Sequence, residues 1–190
     1  MKTNESSDKA IFGFWIYLMS DLVIFAVLFA TYAVLRTNTF GGPTGMQLFS
    51  LPNALAETLI LLTSSFTCGL AMLSAYKKNT KNTLIFFGVT FILGALFLGL
   101  ELTEFSQLIA SGNGPDRSAF LSAFFTLVGT HGLHIATGLL WMAVAMVQIK
   151  VKGLSDHVMS KLIRLGIFWH FLDVVWIFIF TIVYLMSHAL

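Results

Sequence analysis

The sequence predicts an all-α, polytopic membrane protein with five transmembrane helices, and three observations support this prediction. The 190-residue chain is 57% hydrophobic and only 11% charged, whereas soluble domains contain about 25% charged residues. Its mean hydropathy is +0.85. Five apolar stretches each reach the ~20 residues that a helix needs to cross about 30 Å of hydrocarbon. Helix is the expected form because lipid offers no partner to an unpaired backbone group.

The elements follow one another from a polar N-terminal tail over residues 1–10 into a single transmembrane domain over residues 11–190. The tail lacks the charged, apolar and cleavage regions of a removable signal, so we expect the first helix to be retained as an anchor. Connectors rich in turn-forming or basic residues separate the helices: RTNTFGGPTG, KKNTKN, SGNGPDRS and KVKGLSDH. The five predicted helices run over about 11–35, 52–76, 83–109, 119–149 and 160–187.

The distribution of basic residues predicts the orientation of the helices in the membrane. Cytoplasmic segments carry an excess of Lys and Arg. Only Arg36 and Arg117 fall on one side of the predicted membrane. The other side holds Lys2, Lys9, Lys77, Lys78, Lys81, Lys150, Lys152, Lys161 and Arg164. The N-terminus is therefore predicted to lie inside and the C-terminus outside.

Composition also excludes several classes of function. A formal net charge of +2 does not favour a nucleic-acid partner. The single cysteine, Cys68, excludes an intrachain disulfide and any cysteine-based zinc or iron–sulfur site. The sequence contains no P-loop, dinucleotide fingerprint or nucleophile-and-base pattern. We therefore expect no catalytic, cofactor-binding or metal-binding residue in this chain.

Eight ionisable side chains lie inside the predicted helices and away from their ends: Asp21, Glu57, Glu101, Glu104, His131, His134, His170 and Asp173. A charge at the bilayer centre costs a few kcal/mol on insertion scales, so these groups should face protein or water. Three pairs spaced three residues apart share one side of their helix: Glu101/Glu104, His131/His134 and His170/Asp173. Counting residues along each helix places the aspartates, His131 and His170 in a middle layer, with the glutamates nearer the outer surface.

Three roles are open for these buried groups. They can satisfy one another across a packed bundle, form a proton path or lipid head-group site, or ligate a metal or haem. Bundles that hold two irons carry Glu-x-x-His motifs, whereas this chain has Glu-x-x-Glu and His-x-x-His. Small residues beside the histidines, at Gly129, Gly132 and Ala136, predict that this polar face packs closely against protein.

Four stretches give the chain a family resemblance: IFGFWIYLMSDLVIFAVLFATYAVL, GGPTG, GNGPDRSAFLSAFFTLVGTHGLH and FWHFLDVVWIFIFTIVYLMS. From about residue 10 to its end, the chain resembles subunit III of the haem–copper oxidases, and most of all the cytochrome o ubiquinol oxidase branch. THGLH and WHFLDVVW, in this order on the last two predicted helices, are the specific part of the pattern. Subunit III of cytochrome c oxidases usually has seven helices, and the five predicted here are typical of the quinol oxidases.

The resemblance implies a structural role without redox chemistry in this chain. In such complexes haem and copper lie in subunit I, and subunit III packs beside it, supports assembly with the other subunits and holds phospholipid. The complex oxidises ubiquinol, reduces oxygen to water and pumps protons across the bacterial inner membrane. By its position in SDLVIF, Asp21 resembles the carbodiimide-reactive glutamate of the cytochrome c branch.

Three alternatives stay open at this point: subunit III of a cytochrome c oxidase, a self-contained membrane proton carrier, and a membrane metalloenzyme. The face that carries His170 and Asp173 is expected to look inward. We expect it to meet the polar faces of the third and fourth predicted helices, or Asp21. There it would fix helix register and hold protons or a lipid head group.

Overall fold

All regular structure in the described part of the chain is helical, as the composition predicts. The computed structural model describes the backbone of residues 2–189 and the side chains of Lys9 and residues 11–187. Within residues 2–189, a π-helical segment, Phe180–Leu185, joins the last two of seven α-helices. These are α1 (Lys2–Leu35), α2 (Gly45–Leu48), α3 (Leu51–Tyr76), α4 (Thr80–Ala110), α5 (Ala119–Lys152), α6 (Asp156–Ile179) and α7 (Met186–Ala189).

Five segments within residues 2–189 are long and apolar enough to cross a membrane, which confirms the predicted all-α architecture with five spans. They are Ile11–Leu35, Leu51–Tyr76, Thr80–Ala110, Ala119–Lys152 and Asp156–Leu185. Helix α1 starts at Lys2, so the polar segment before residue 11 continues the first helix. The fifth span starts at residue 156, four residues before the predicted start at 160. The short helix α2, in the connector between the first two spans, was not predicted.

The helices form a ring of four with one helix packed outside it. Helices α3 and α4 make an extensive antiparallel contact, α4 packs on α5, α5 packs on α6, and α6 closes the ring against α3. Helix α1 packs on α5 and α6 from the outside. Helix α6 thus touches three neighbouring helices, and half of the most apolar stretch of its span is buried. It is the central element around which the candidate site is built.

Local sequence explains where the spans begin and end. The side chains of Asn79 and Ser118 accept hydrogen bonds from the backbone N–H groups of Asn82 and Leu121, at 3.1 and 3.2 Å, and so cap α4 and α5. Pro52 stands in the first turn of α3, where its missing N–H costs nothing. Helix α5 ends at Gly153, whose φ of +64° lies in the left-handed region that glycine adopts easily.

Two glycines create the space that the largest core side chain occupies. A Cβ atom at Gly94 would lie 2.7 Å from the ring of Trp169, and one at Gly138 would lie 3.0 Å from the same ring. Trp169 is fully buried between these positions of α4 and α5. Gly88 and Gly99 have no such neighbour within 4 Å. Small residues therefore mark helix contacts at particular positions only.

Candidate functional site

The eight ionisable residues divide into four groups at different places in the bundle. Asp21 lies beside His134, and His170 lies beside Asp173. The three glutamates form the third group. His131 stands apart among aromatic rings. Counting residues predicts a common level for the three glutamates, but it does not tell which helix each side chain faces.

The first group joins α1 to α5 through Asp21 and His134. Nε2 of His134 lies 3.6 Å from Oδ2 of Asp21, an ion-pair distance that is long for a hydrogen bond. Nδ1 of His134 is 2.8 Å from the carbonyl oxygen of Thr130. A carbonyl only accepts, so Nδ1 carries a proton and Nε2 faces the carboxyl group. A hydrogen bond between the two side chains would need a proton on the carboxyl group or on Nε2.

The second group joins α6 to α3, and here the predicted neighbours are wrong. Nδ1 of His170 is 2.7 Å from Oγ of Ser65 and 3.7 Å from Oδ2 of Asp173. The face therefore meets α3, rather than Asp21 or the third and fourth spans. Asp173 is buried, whereas the side chain of His170 is 48% exposed. The two residues share a side of α6, as their spacing predicts, but only one of them points fully inward.

The third group places Glu57, Glu101 and Glu104 between α3, α4 and the π-helical segment. The hydroxyl group of Tyr184 donates to Oε2 of Glu104 at 3.2 Å. The three carboxyl groups lie close enough to interact electrostatically. Glu101 is 1% exposed, and neither of its oxygens has a hydrogen-bond partner among the described residues. The cluster thus places three carboxyl groups, whose oxygens accept hydrogen bonds, near the one hydroxyl donor of Tyr184.

A polar cavity reaches this cluster from the end of the bundle where α3 begins and α4 ends. Its volume is about 640 Å³, and Glu57 and Glu104 form part of its wall. Amide and hydroxyl side chains supply most of the other polar lining: Gln47, Ser50, Asn53, Thr103, Gln107, Ser111 and Asn113. Such a lining suits water, so the two glutamates are candidates for contact with an aqueous phase.

The fourth position, His131, is a histidine buried in an aromatic box. Its ring stacks on Trp176 with centroids 5.4 Å apart, and the edge of Phe97 approaches it at 6.0 Å. Neither ring nitrogen has a hydrogen-bond partner in the region that the structure describes. The described residues contain no group of three or more His, Cys, Asp or Glu that could hold a metal ion.

Two tryptophans outside the predicted set of site residues tie α6 to α3. Nε1 of Trp169 donates to Oγ of Ser64 at 3.1 Å, and Nε1 of Trp176 donates to Oγ1 of Thr58 at 3.0 Å. Ser64 in turn lies 3.3 Å from the carbonyl oxygen of Thr90 on α4. A signal was present, because an indole N–H deep in a membrane needs an acceptor. Spacing of seven residues puts both rings on one face of α6.

An apolar groove of about 570 Å³ runs between α1 and α6 on the outside of the bundle. Trp15, Met19 and Leu22 belong to its α1 wall, and Val174 and Phe178 to its α6 wall. Among the described residues, His170 is the one ionisable residue that lines it. The half-exposed imidazole of the second group therefore opens into this groove.

Comparison with known proteins assigns the whole chain to one family of relatives. A family model described as cytochrome c oxidase subunit III matches residues 2–188. The chain is 57% identical over 184 residues to the cytochrome bo(3) ubiquinol oxidase subunit 3 of Pseudomonas aeruginosa, covering 97% of this chain and 88% of that protein. It is 46% identical over 185 residues to the cytochrome c oxidase subunit 3 of Bacillus sp. (strain PS3), covering 97% and 89%. It is 43% identical over 184 residues to the quinol oxidase subunit 3 of Bacillus subtilis, covering 97% and 90%.

Proposed function

This chain belongs to the cytochrome c oxidase subunit III family, and we propose that it is the non-catalytic subunit III of a proton-pumping terminal ubiquinol oxidase. The family resemblance predicted from THGLH and WHFLDVVW is confirmed by the match over residues 2–188. The single observation that supports ubiquinol as the electron donor is the 57% identity, over 97% of the chain, to a ubiquinol oxidase subunit 3.

In this proposal the chain has a structural role, and the redox centres lie in a partner subunit. Subunit I, carrying haem and copper, packs beside it in a bacterial inner membrane, and phospholipid fills the remaining apolar faces. The complex oxidises ubiquinol, reduces oxygen to water and pumps protons. The contacts that tie α6 to α3 and α1 to α5 support a scaffold role, because they use the buried polar groups to hold helices together.

A second candidate function is subunit III of a cytochrome c oxidase. The 46% identity to the Bacillus sp. (strain PS3) protein favours it, since that relative is named for cytochrome c. Both candidates predict the same fold and a haem-bearing partner. They differ in the electron donor that the assembled complex accepts.

Purification of the complex through an affinity tag on this chain, in mild detergent, tests the proposal. We expect a haem-bearing large subunit to co-purify and the preparation to consume oxygen with a soluble ubiquinol but not with reduced cytochrome c. Oxidation of cytochrome c alone would favour the second candidate. A chain that purifies without partners and dissipates a pH gradient in liposomes would instead establish a self-contained proton carrier.

A further inference from the structure

The position of His170 raises the question of what meets it in the membrane. The fifth span, Asp156–Leu185, has 30 residues, and His170 is the fifteenth. At 1.5 Å per residue it lies about 21 Å from either end of the span. Its side chain is nevertheless 48% exposed at the surface of the chain. A half-exposed imidazole at the centre of a hydrocarbon layer is costly unless its polar atoms find partners.

Among the described residues, contacts are found for only one of the two ring nitrogens. Nδ1 lies 2.7 Å from Oγ of Ser65 and near the carboxyl group of Asp173. This contact fixes the orientation of the ring. Nε2 is on the opposite edge of the ring and makes no hydrogen bond to any residue that the structure describes. The ring is thus anchored through Nδ1, while 48% of the side chain is exposed at the surface of the chain.

The surface around this nitrogen limits what can cover it. His170 lines the groove of about 570 Å³ between α1 and α6, whose other walls are apolar. Acyl chains could fill the groove but offer no hydrogen-bonding atom. Lipid head groups lie about 15 Å from the middle of a 30 Å hydrocarbon layer, too far to reach the ring. A fitting occupant is long and apolar and carries one polar group at mid-depth.

A transmembrane helix meets these requirements, because it can offer apolar side chains along the groove and one polar side chain at the level of the ring. We propose that the groove between α1 and α6 is the surface on which a transmembrane helix of another oxidase subunit packs, and that a side chain of this helix hydrogen-bonds to Nε2 of His170. This inference rests on the proposed function, which makes the chain part of a complex. It adds which face of the chain contacts the partner helix and which residue hydrogen-bonds to it.

Two substitutions of His170 test the roles of the inner ring nitrogen, Nδ1, and the outer ring nitrogen, Nε2, separately. In His170→Asn the amide nitrogen or oxygen replaces Nδ1, so the contact with Ser65 can persist while the outer polar atom is lost. In His170→Gln the amide reaches the position of Nε2. The readout is the amount of haem-bearing subunit retained on the tagged chain after a stringent detergent wash.

We expect His170→Asn to weaken retention about threefold to twentyfold, as the loss of one intramembrane hydrogen bond predicts, and His170→Gln to retain the partner. His170→Leu should behave like the asparagine variant. The reverse pattern, with asparagine tolerated and glutamine not, would overturn the proposal, because it would show that only the inner edge matters.

A photo-reactive phenylalanine analogue in place of Val174, on the α6 wall, identifies the occupant directly. The control position is Leu140 on α5, which is 68% exposed and lies outside the groove. We expect the probe at Val174, in the wild-type complex, to form an adduct with another subunit that the probe at Leu140 does not form.

Adducts from Val174 with phospholipid or ubiquinone alone would overturn the proposal. In that case co-purification of the haem-bearing subunit would still support the proposed function. Failure of that co-purification would refute both. The two failures are therefore distinguishable in one preparation.

Discussion

A hydrogen bond between His134 and a backbone carbonyl group limits how the side chains of Asp21 and His134 can interact. Because Nδ1 of His134 is 2.8 Å from the carbonyl oxygen of Thr130, only Nε2 is left for the carboxyl group. Nε2 can then accept from a protonated carboxyl or carry a proton toward a carboxylate. A substitution that supplies a donor to Nε2 preserves the arrangement. Loss of the ring removes the imidazole from the carboxyl group, which is 5% exposed.

Replacement of Asp21 by asparagine should therefore be mild, and replacement of His134 by leucine should not. The asparagine N–H can donate to Nε2, so we expect the free energy of unfolding to change by less than about 1 kcal/mol. His134→Leu should lower it by about 1–3 kcal/mol, the cost of a buried polar group without a partner. Detergent-induced unfolding of the purified chain measures both. The double variant Asp21→Leu/His134→Leu should lose less than the sum of the single variants Asp21→Leu and His134→Leu, and strict additivity of these two effects would refute the coupling.

Gly94 tests whether the close approach of α4 to Trp169 stabilises the fold. Gly94→Ala would bring a methyl group to 2.7 Å from the indole ring, too close for any Cβ contact. We expect a loss of about 1–3 kcal/mol in the free energy of unfolding, as overpacked cores show. Gly99→Ala on the same helix is the matched control, since no atom lies within 4 Å of its new methyl group. Equal stability of the two variants would show that Trp169 moves aside freely.

At the scale of single residues, the sequence predicts how far along its helix a side chain lies and which side of the helix it is on. It does not predict which neighbouring helix the side chain contacts. Spacing of three residues placed His170 and Asp173 on one side of a helix, and they do lie 3.7 Å apart. Their contact with Ser65 was missed, because the rotation of each helix and the identity of its neighbour depend on packing across the bundle. A serine in an apolar stretch carries too weak a signal to indicate which helix it faces.

At the scale of elements, the contact between α3 and α6 depends on two indole N–H groups that reach two hydroxyl groups. Trp169 reaches Ser64, and Trp176 reaches Thr58. The two acceptors are six residues apart on α3, which is about 9 Å along the helix axis. Both indoles are fully buried. Contacts at this separation that share no partner should contribute independently to stability.

Removal of these two acceptors should therefore be additive. We expect Thr58→Val and Ser64→Ala each to lower the free energy of unfolding by about 0.6–1.7 kcal/mol, the range for hydrogen bonds between membrane helices. The double variant should lose the sum, because the sites are separate. Thr63→Val on the same helix is the control, since its hydroxyl bonds only to its own helix at Leu59. A double variant no worse than either single one would show that the two contacts are not independent.

Helix limits show which elements the sequence can predict. The five spans follow from apolar length, and the predicted limits of 52–76 lie within one residue of the observed α3 (Leu51–Tyr76). Helix α2 has only four residues, too few for any period to emerge. The π-helical segment Phe180–Leu185 has ordinary apolar residues, so its extra residue per turn is invisible in the composition. Yet this segment carries Tyr184 to Glu104.

At the scale of the whole molecule, the order of helices around the bundle was beyond the reach of the sequence. Every span is apolar on most of its surface, because lipid and neighbouring protein are both satisfied by apolar side chains. Hydropathy therefore does not distinguish the ring α3–α4–α5–α6 from other arrangements. The position of α1 outside this ring creates the groove that His170 lines. Orientation, in contrast, is predicted from basic residues in the tail, in the connectors and near the helix ends, and a simple experiment can test this prediction.

Single cysteines report which end of the bundle faces outward. The chain has one cysteine, Cys68, which is fully buried, so an introduced thiol on the surface reacts alone. Ser111→Cys lies at the mouth of the polar cavity, and Lys77→Cys lies in the basic turn at the opposite end. With the N-terminus inside, as the nine basic residues on that side predict, a membrane-impermeant maleimide added to intact cells should label Ser111→Cys. Lys77→Cys should react only after permeabilisation, and the unsubstituted chain should not react in either case.

Asn53→Cys, on the cavity wall, should also be labelled from outside if water fills the cavity. Labelling of Lys77→Cys in intact cells, with Ser111→Cys protected, would reverse the predicted orientation and would place the glutamate cluster on the cytoplasmic side.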